Sequence, residues 1–247
     1  GGLQVSQDGY TLDLLDEVAE PGRERVVRFR IVGPDGAPVT SYDVEHEKRL
    51  HLIALRRDLS GYQHVHPTLA EDGTWSARLA LRPGTVRLLA DFVPTGGRDL
   101  TLGSDLQVPG DFTPAAPTEP TRLARTDGYD VRLDGDLVAG EPTTLTLHVS
   151  RDDAPVTDLQ PYLGAYGHLV AIREGDLAYL HVHPEEGPAG PEIDFGTTLP
   201  TAGRYRLFLD FRHGDVVRTA RLTVATEGST DAAGATAHGQ EGGGHDH

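Results

Sequence analysis

Residues His51–Pro67 read HLIALRRDLSGYQHVHP, and residues His168–Pro184 read HLVAIREGDLAYLHVHP. Nine of these 17 positions are identical without a gap. Searching for such internal repeats comes before any other reading, because a missed repeat misassigns the whole fold. The correspondence extends both ways: Asp8-Gly9-Tyr10 matches Asp127-Gly128-Tyr129, Ala37–Thr40 matches Ala154–Thr157, and RLLADF (Arg87–Phe92) matches RLFLDF (Arg206–Phe211). The offset drifts only from 119 (Asp8 to Asp127) to 117 (His51 to His168), so the repeat unit is nearly a whole domain.

Each copy reads as strands. Val26–Val32, Trp75–Leu81 and Thr144–Val149 alternate in part with a period of two residues, the mark of a half-buried strand. Gly33-Pro34-Asp35-Gly36, Glu71-Asp72-Gly73, Arg82-Pro83-Gly84 and Thr201-Ala202-Gly203 punctuate the runs as turns. No segment keeps a helical apolar stripe for three turns. Several short strands per copy predict an all-β chain of two tandem immunoglobulin-like Greek-key β-sandwich domains. The expected organisation is a first sandwich over 1–110, a linker over 111–126, a second sandwich over 127–225 and a disordered tail over 226–247. The linker reading rests on Pro114, Pro117 and Pro120, which stiffen an extended chain. The tail reading rests on its Gly, Ala, Thr and His content without apolar periodicity.

Composition narrows the function. Lys plus Arg total 22 against 38 Asp plus Glu, a formal net charge of −16. Such a surface repels phosphate backbones, which argues against nucleic-acid binding. No apolar run approaches the roughly 20 residues of a membrane helix, so no membrane insertion is expected. Cysteine is absent, which removes disulfides and thiolate metal sites. Methionine is absent even at position 1, so the chain reads as a trimmed product, with Gly1-Gly2 compatible with a tag remnant.

The repeated histidines carry the sharpest signal. A symmetric turn at Asp58–Gly61 would set residue 55 opposite 64 and residue 53 opposite 66. His64 and His66 then share a face, with His51 diagonal to His66. Asp91 and Asp210 stand in otherwise apolar strands and need a partner there. His51, His66 and Asp91 are expected to converge, as are His168, His183 and Asp210, with His64 and His181 as further candidates. Three imidazoles and a carboxylate suit Cu(II), with Zn(II) as the alternative. The two sites are expected to be independent, one per module. His46 is an optional ligand, His148 and His213 read as structural, and His238, His245 and His247 form a flexible donor set. No phosphate loop, nucleophile elbow or HExxH helix is present.

These residues resemble the extracytoplasmic bacterial copper-handling modules of the CopC and YtkA-like kind, most strongly over His51–Pro67 and its copy. The resemblance implies a location outside the cytoplasm (secreted, periplasmic or cell-surface anchored). It also implies copper coordination by His and Asp for sequestration or delivery, with metal ions and another extracytoplasmic metal-handling protein as partners. The chain departs from that pattern in lacking a methionine-rich segment and an identifiable N-terminal histidine ligand. Two other classes stand beside it: an immunoglobulin-like adhesion or interaction module with structural histidines, and a metalloenzyme with an open coordination position.

Overall fold

The computed structural model describes residues 1–228, with the side chains of His181 and His183 outside that description. The sequence readings for the tail, including His238, His245 and His247, lie outside the described residues. The described chain is all-β, without a helix, and so without one long and apolar enough to cross a membrane.

The first module comprises β1 (Ser6–Gln7), β2 (Tyr10–Leu14), β3 (Gly22–Val32), β4 (His51–Arg56), β5 (Gln63–Val65), β6 (Thr68–Leu69), β7 (Thr74–Leu81), β8 (Gly84–Phe92) and β9 (Leu100–Val108). They form one sheet in the order β1-β2-β3-β7-β6 and another in the order β5-β4-β8-β9. This is the immunoglobulin arrangement, strands A-B-E-D opposite C-F-G with an added flanking strand. Between the sheets lies a core that includes Phe29, Ile31, Leu52, Trp75, Leu88 and Leu102. The Trp75 indole donates to the Tyr42 hydroxyl at 3.1 Å, so its one polar atom is satisfied in the core.

The second module comprises β10 (Leu123–Thr126), β11 (Tyr129–Asp134), β12 (Pro142–Arg151), β13 (Ala154–Pro155), β14 (Gly167–Arg173), β15 (Tyr179–Pro184), β16 (Glu192–Thr198), β17 (Gly203–His213) and β18 (Val216–Thr226). Its strand order is β10-β11-β12-β16-β15-β14-β17-β18, with β13 on β12. In the first module the chain leaves β4 and joins β7 across a break at His66-Pro67. In the second, β15 runs unbroken and pairs with both β14 and β16. Leu123–Thr126, assigned by sequence to the linker, pairs with β11 as β10. The preceding stretch is tethered to the first module: Ala115 donates its N–H to Asp58 at 2.8 Å, and Arg56 lies 5.3 Å over the Phe112 ring.

The packing of the modules against each other positions the histidines. Both outer faces of β4 and β14 are covered. Leu50, Leu52 and Ala54 point into the first core, while Ile53 and Leu55 enter a third apolar cluster. Leu169 and Ala171 likewise point into the second core, and Val170 and Ile172 join that third cluster. The cluster is inter-modular, with Leu59, Tyr62 and Leu89 from one side and Leu177, Tyr179 and Phe208 from the other. The Tyr62 and Phe208 rings stack at 3.8 Å. A strand buried on both faces should read as a continuous apolar run, as HLIAL and HLVAI do. Gly1 and Gly2 also bridge the modules, bonding to the backbone of Tyr179 and Thr101.

The hairpin register differs from the symmetric turn expected. Ile53 pairs with His64 and Leu52 with Val65, so His64 lies two residues from its expected partner. Leu59 (φ 64°) and Gly61 (φ 67°) both adopt left-handed backbone, and Arg56 donates its N–H to the Ser60 carbonyl, which closes the turn over residues 57–59 instead of Asp58–Gly61. A shift of two preserves side-chain parity, so His51, His64 and His66 still share a face. That face is the inter-modular one. Leu59 and Leu177 (φ 63°) are both buried there, which offsets the steric cost of a left-handed non-glycine residue.

Candidate metal centre

β4 supplies His51 and β5 supplies His64, with His66 one residue past the end of β5 and just before Pro67. One ring nitrogen from each of the three lies within 4.8 Å of the others. Ring centroids stand 5.2 Å (His51–His64), 5.0 Å (His51–His66) and 4.9 Å (His64–His66) apart. His51 is only 4% exposed.

Hydrogen bonding fixes which nitrogen each ring can offer. His51 donates its Nε2–H to the Glu45 carbonyl at 3.1 Å, because a carbonyl can only accept. Its Nδ1 is therefore the lone-pair nitrogen. His64 donates its Nδ1–H to the Asp210 carboxylate at 2.9 Å, across the module boundary. Its Nε2 is therefore the lone-pair nitrogen when the ring is neutral. These two lone-pair atoms, His51 Nδ1 and His64 Nε2, face each other at 3.0 Å. Among the described residues, the Nε2 of His66 is buried without a hydrogen-bond partner. Burial above all, with the crowding of other protonatable groups such as Lys48 next, pushes the His66 ring down to about 3, so it stays neutral over the physiological range.

The second module repeats part of this device. His168, 2% exposed, holds its Nε2–H on the Tyr162 carbonyl at 2.9 Å, as His51 does on Glu45. Burial, with the His46 charge next, lowers its ring to about 3. His168 stands beside histidines of the other module. Its ring lies 5.1 Å from His46 and 6.5 Å from His64, both of the first module. The backbone places His181 opposite Val170 and His183 opposite Gly196.

The two acids reach across the boundary in both directions. Asp91 lies directly opposite His51 in the β4–β8 ladder, but its carboxylate accepts from Thr101 at 3.0 Å and from Tyr179 of the second module at 2.9 Å. It falls outside the group of three mutually close ligand atoms. Asp210 lies opposite His168 in the β14–β17 ladder and accepts from Thr219 as well as His64. The expected convergence of His51, His66 and Asp91 is thus replaced by His51, His64 and His66, because register and module docking rearrange the partners. His46, the optional ligand, is held at φ 46° with its ring 6.1 Å from that of His51. His148 and His213 stand elsewhere, the first between Asp134 and Glu192, the second between Tyr129 and Asp158.

Openings lie around the cluster. A cavity of about 250 Å³ is lined by His46, His51, Lys48, Asp91 and Asp99 among others. A cleft of about 770 Å³ also reaches His46 and carries Glu185, Glu186, Glu192 and Asp194. Carboxylates along such a cleft raise the local concentration of cations.

Comparison with known families matches residues 4–110 and again 124–228 to one family, described as a domain of unknown function, DUF8832. The chain belongs to the DUF8832 family. Its two DUF8832 modules are the two sandwiches described above. A search of curated proteins finds no match. Among solved structures, similarity is found to the Escherichia coli adhesin FdeC, with 16% identity and a TM-score of 0.30 over 89% of this chain and 65% of that one. The DUF8832 pair therefore spans less than two thirds of that adhesin chain. The Yersinia pseudotuberculosis adhesin InvE shows 13% identity and a TM-score of 0.26 over 92% of this chain and 61% of that one. Domains 4 and 5 of the S-layer protein SbsC show 12% identity and a TM-score of 0.26 over 91% and 98%. The family match shows no copper-handling family, and the copper-module resemblance rests on the residues of the repeat.

Proposed function

We propose that this DUF8832 pair is an extracytoplasmic metal-binding protein that takes one divalent transition ion at His51, His64 and His66, for sequestration or delivery. The carrying observation is the approach of two lone-pair nitrogens, His51 Nδ1 and His64 Nε2, to 3.0 Å. Two such atoms repel unless a cation lies between their lone-pair directions. Imidazole nitrogens on one ion, each ~2.0 Å from it, stand about 2.8–3.4 Å apart for coordination angles between square and tetrahedral. A shared proton would satisfy the pair but leave the buried His66 Nε2 unserved; an ion reached by all three rings serves both. The chain has no Cys or Met, so its donors are imidazole and carboxylate, which favours Cu(II), with Zn(II) next. The location outside the cytoplasm follows from the copper-module resemblance.

A second reading, an immunoglobulin-like interaction module with structural histidines, is favoured by one observation. His51, His64 and His168 are each already hydrogen-bonded to protein groups that hold their rings. Metal analysis of protein purified without an affinity metal separates the two. Near-stoichiometric copper or zinc, lost in His64→Ala, supports the metal reading. Metal at trace level after incubation with either ion and desalting supports the structural one.

A further inference from the structure

Asp210 is copied in the repeat as the partner of Asp91, and its sequence position assigns it to the second module's own histidines. The geometry gives it another task. Its Oδ2 lies 2.9 Å from Nδ1 of His64, a residue 146 positions away in the other module, and both side chains are almost fully buried. Its Oδ1 accepts the Thr219 hydroxyl at 2.5 Å, which fixes the carboxylate plane.

We propose that Asp210 is a positioning residue for the first module's metal site, so that the site is complete only when the second module is docked. The inference rests on the metal reading above and adds its regulation. An ionised carboxylate accepts but cannot donate, so it holds the His64 proton on Nδ1 and turns the Nε2 lone pair toward His51 and His66. A carboxylate behind a ligating imidazole fixes ring orientation and raises basicity, and its loss costs about 10–100-fold in metal affinity. Without Asp210, His64 is free to carry its proton on Nε2 and donate it to His51 Nδ1. That closes the pair without an ion. Docking of the modules thus decides between a site that lacks a cation and one that has no need of one. By reciprocity, an ion that favours the docked arrangement strengthens docking by the same factor.

The variant Asp210→Asn separates these states. Its amide oxygen can keep the Thr219 hydrogen bond while its NH₂ donates to His64 Nδ1, which forces the proton to Nε2. Long-range proton–nitrogen NMR of the metal-free full-length chain reads the tautomer directly, and zinc titration reads the affinity. The expected result is an Nδ1–H tautomer of His64 in the parent chain and an Nε2–H tautomer in Asp210→Asn. Zinc affinity should fall about 10–100-fold at unchanged metal-free melting temperature. An Nε2–H tautomer in the parent chain, which needs no variant to fold, overturns the proposal. So does parental zinc affinity in Asp210→Asn. A parent chain that binds no zinc overturns the metal reading itself and the inference with it, an outcome distinct from a parent that binds while Asp210→Asn binds equally well.

Discussion

His64 of the first module donates its Nδ1–H to Asp210 of the second at 2.9 Å, so a histidine of one repeat is held by the acid of the other. His168 completes the same neighbourhood, 6.5 Å from His64 between ring centroids. The chain is therefore a shared centre with a module on each side, and its variants should behave accordingly.

Side chains in contact do not lose function independently. His46 stands 6.1 Å from His51 and 5.1 Å from His168 between centroids, which links the two copies. In a double-mutant cycle of His46→Ala and His168→Ala, zinc affinity should show a coupling of about 0.5–3 kcal/mol. Additive losses, as separate modules would give, contradict the shared centre.

The module interface should carry both stability and affinity. Phe208 is fully buried, stacks on Tyr62 at 3.8 Å and has no core role in its own sheet pair. Phe208→Ala removes it at a cost of about 3–5 kcal/mol, moderated if the modules separate rather than leave a cavity. Because it loosens docking, the same change should weaken zinc binding although Phe208 offers no ligand. Denaturant unfolding and zinc titration of one preparation check both, and a change in stability alone contradicts the coupling.

Acid should loosen the metal-free protein in a defined window. His66 and His168 are held at about 3 when folded, against an ordinary value near 6.5. Above 6.5 both are neutral in either state and contribute no pH dependence. Below it the unfolded chain takes up protons that the folded chain refuses, so stability falls as pH drops from 6.5 toward 3. The melting temperature should therefore decline by several degrees between pH 6.5 and 5, before carboxylates titrate. His168→Gln should flatten that decline, and an unchanged slope contradicts burial of a neutral ring.

The fold was legible because two cues coincide in these residues: alternating runs such as Trp75–Leu81, and a repeat long enough to be a domain. The parity of His51, His64 and His66 was legible for the same reason, since a two-residue register error leaves faces unchanged. Their destination was not. Nothing local tells Ile53 and Leu55 that their face meets another module instead of water, although the four-residue apolar run Leu52–Leu55, with no polar alternation, is the trace it leaves. The ungapped alignment also hid the turn, setting Leu59 against Asp176 when its structural counterpart is Leu177, equally buried and equally left-handed. Asp210 was identified as a buried acid needing a partner, but the partner lay in the other copy, beyond any spacing argument. His46 lacked a repeat signature and could be found only by proximity.

The central claim is that one ion is held by His51, His64 and His66 at the docked interface. Calorimetric titration of the metal-free full-length chain with zinc(II), beside His51→Ala, His64→Ala and His66→Ala, tests it most directly. The expected result is a single saturable site at micromolar or tighter affinity, roughly abolished by each substitution, with only weak residual uptake. Saturable binding of unchanged stoichiometry and affinity in all three variants would contradict it.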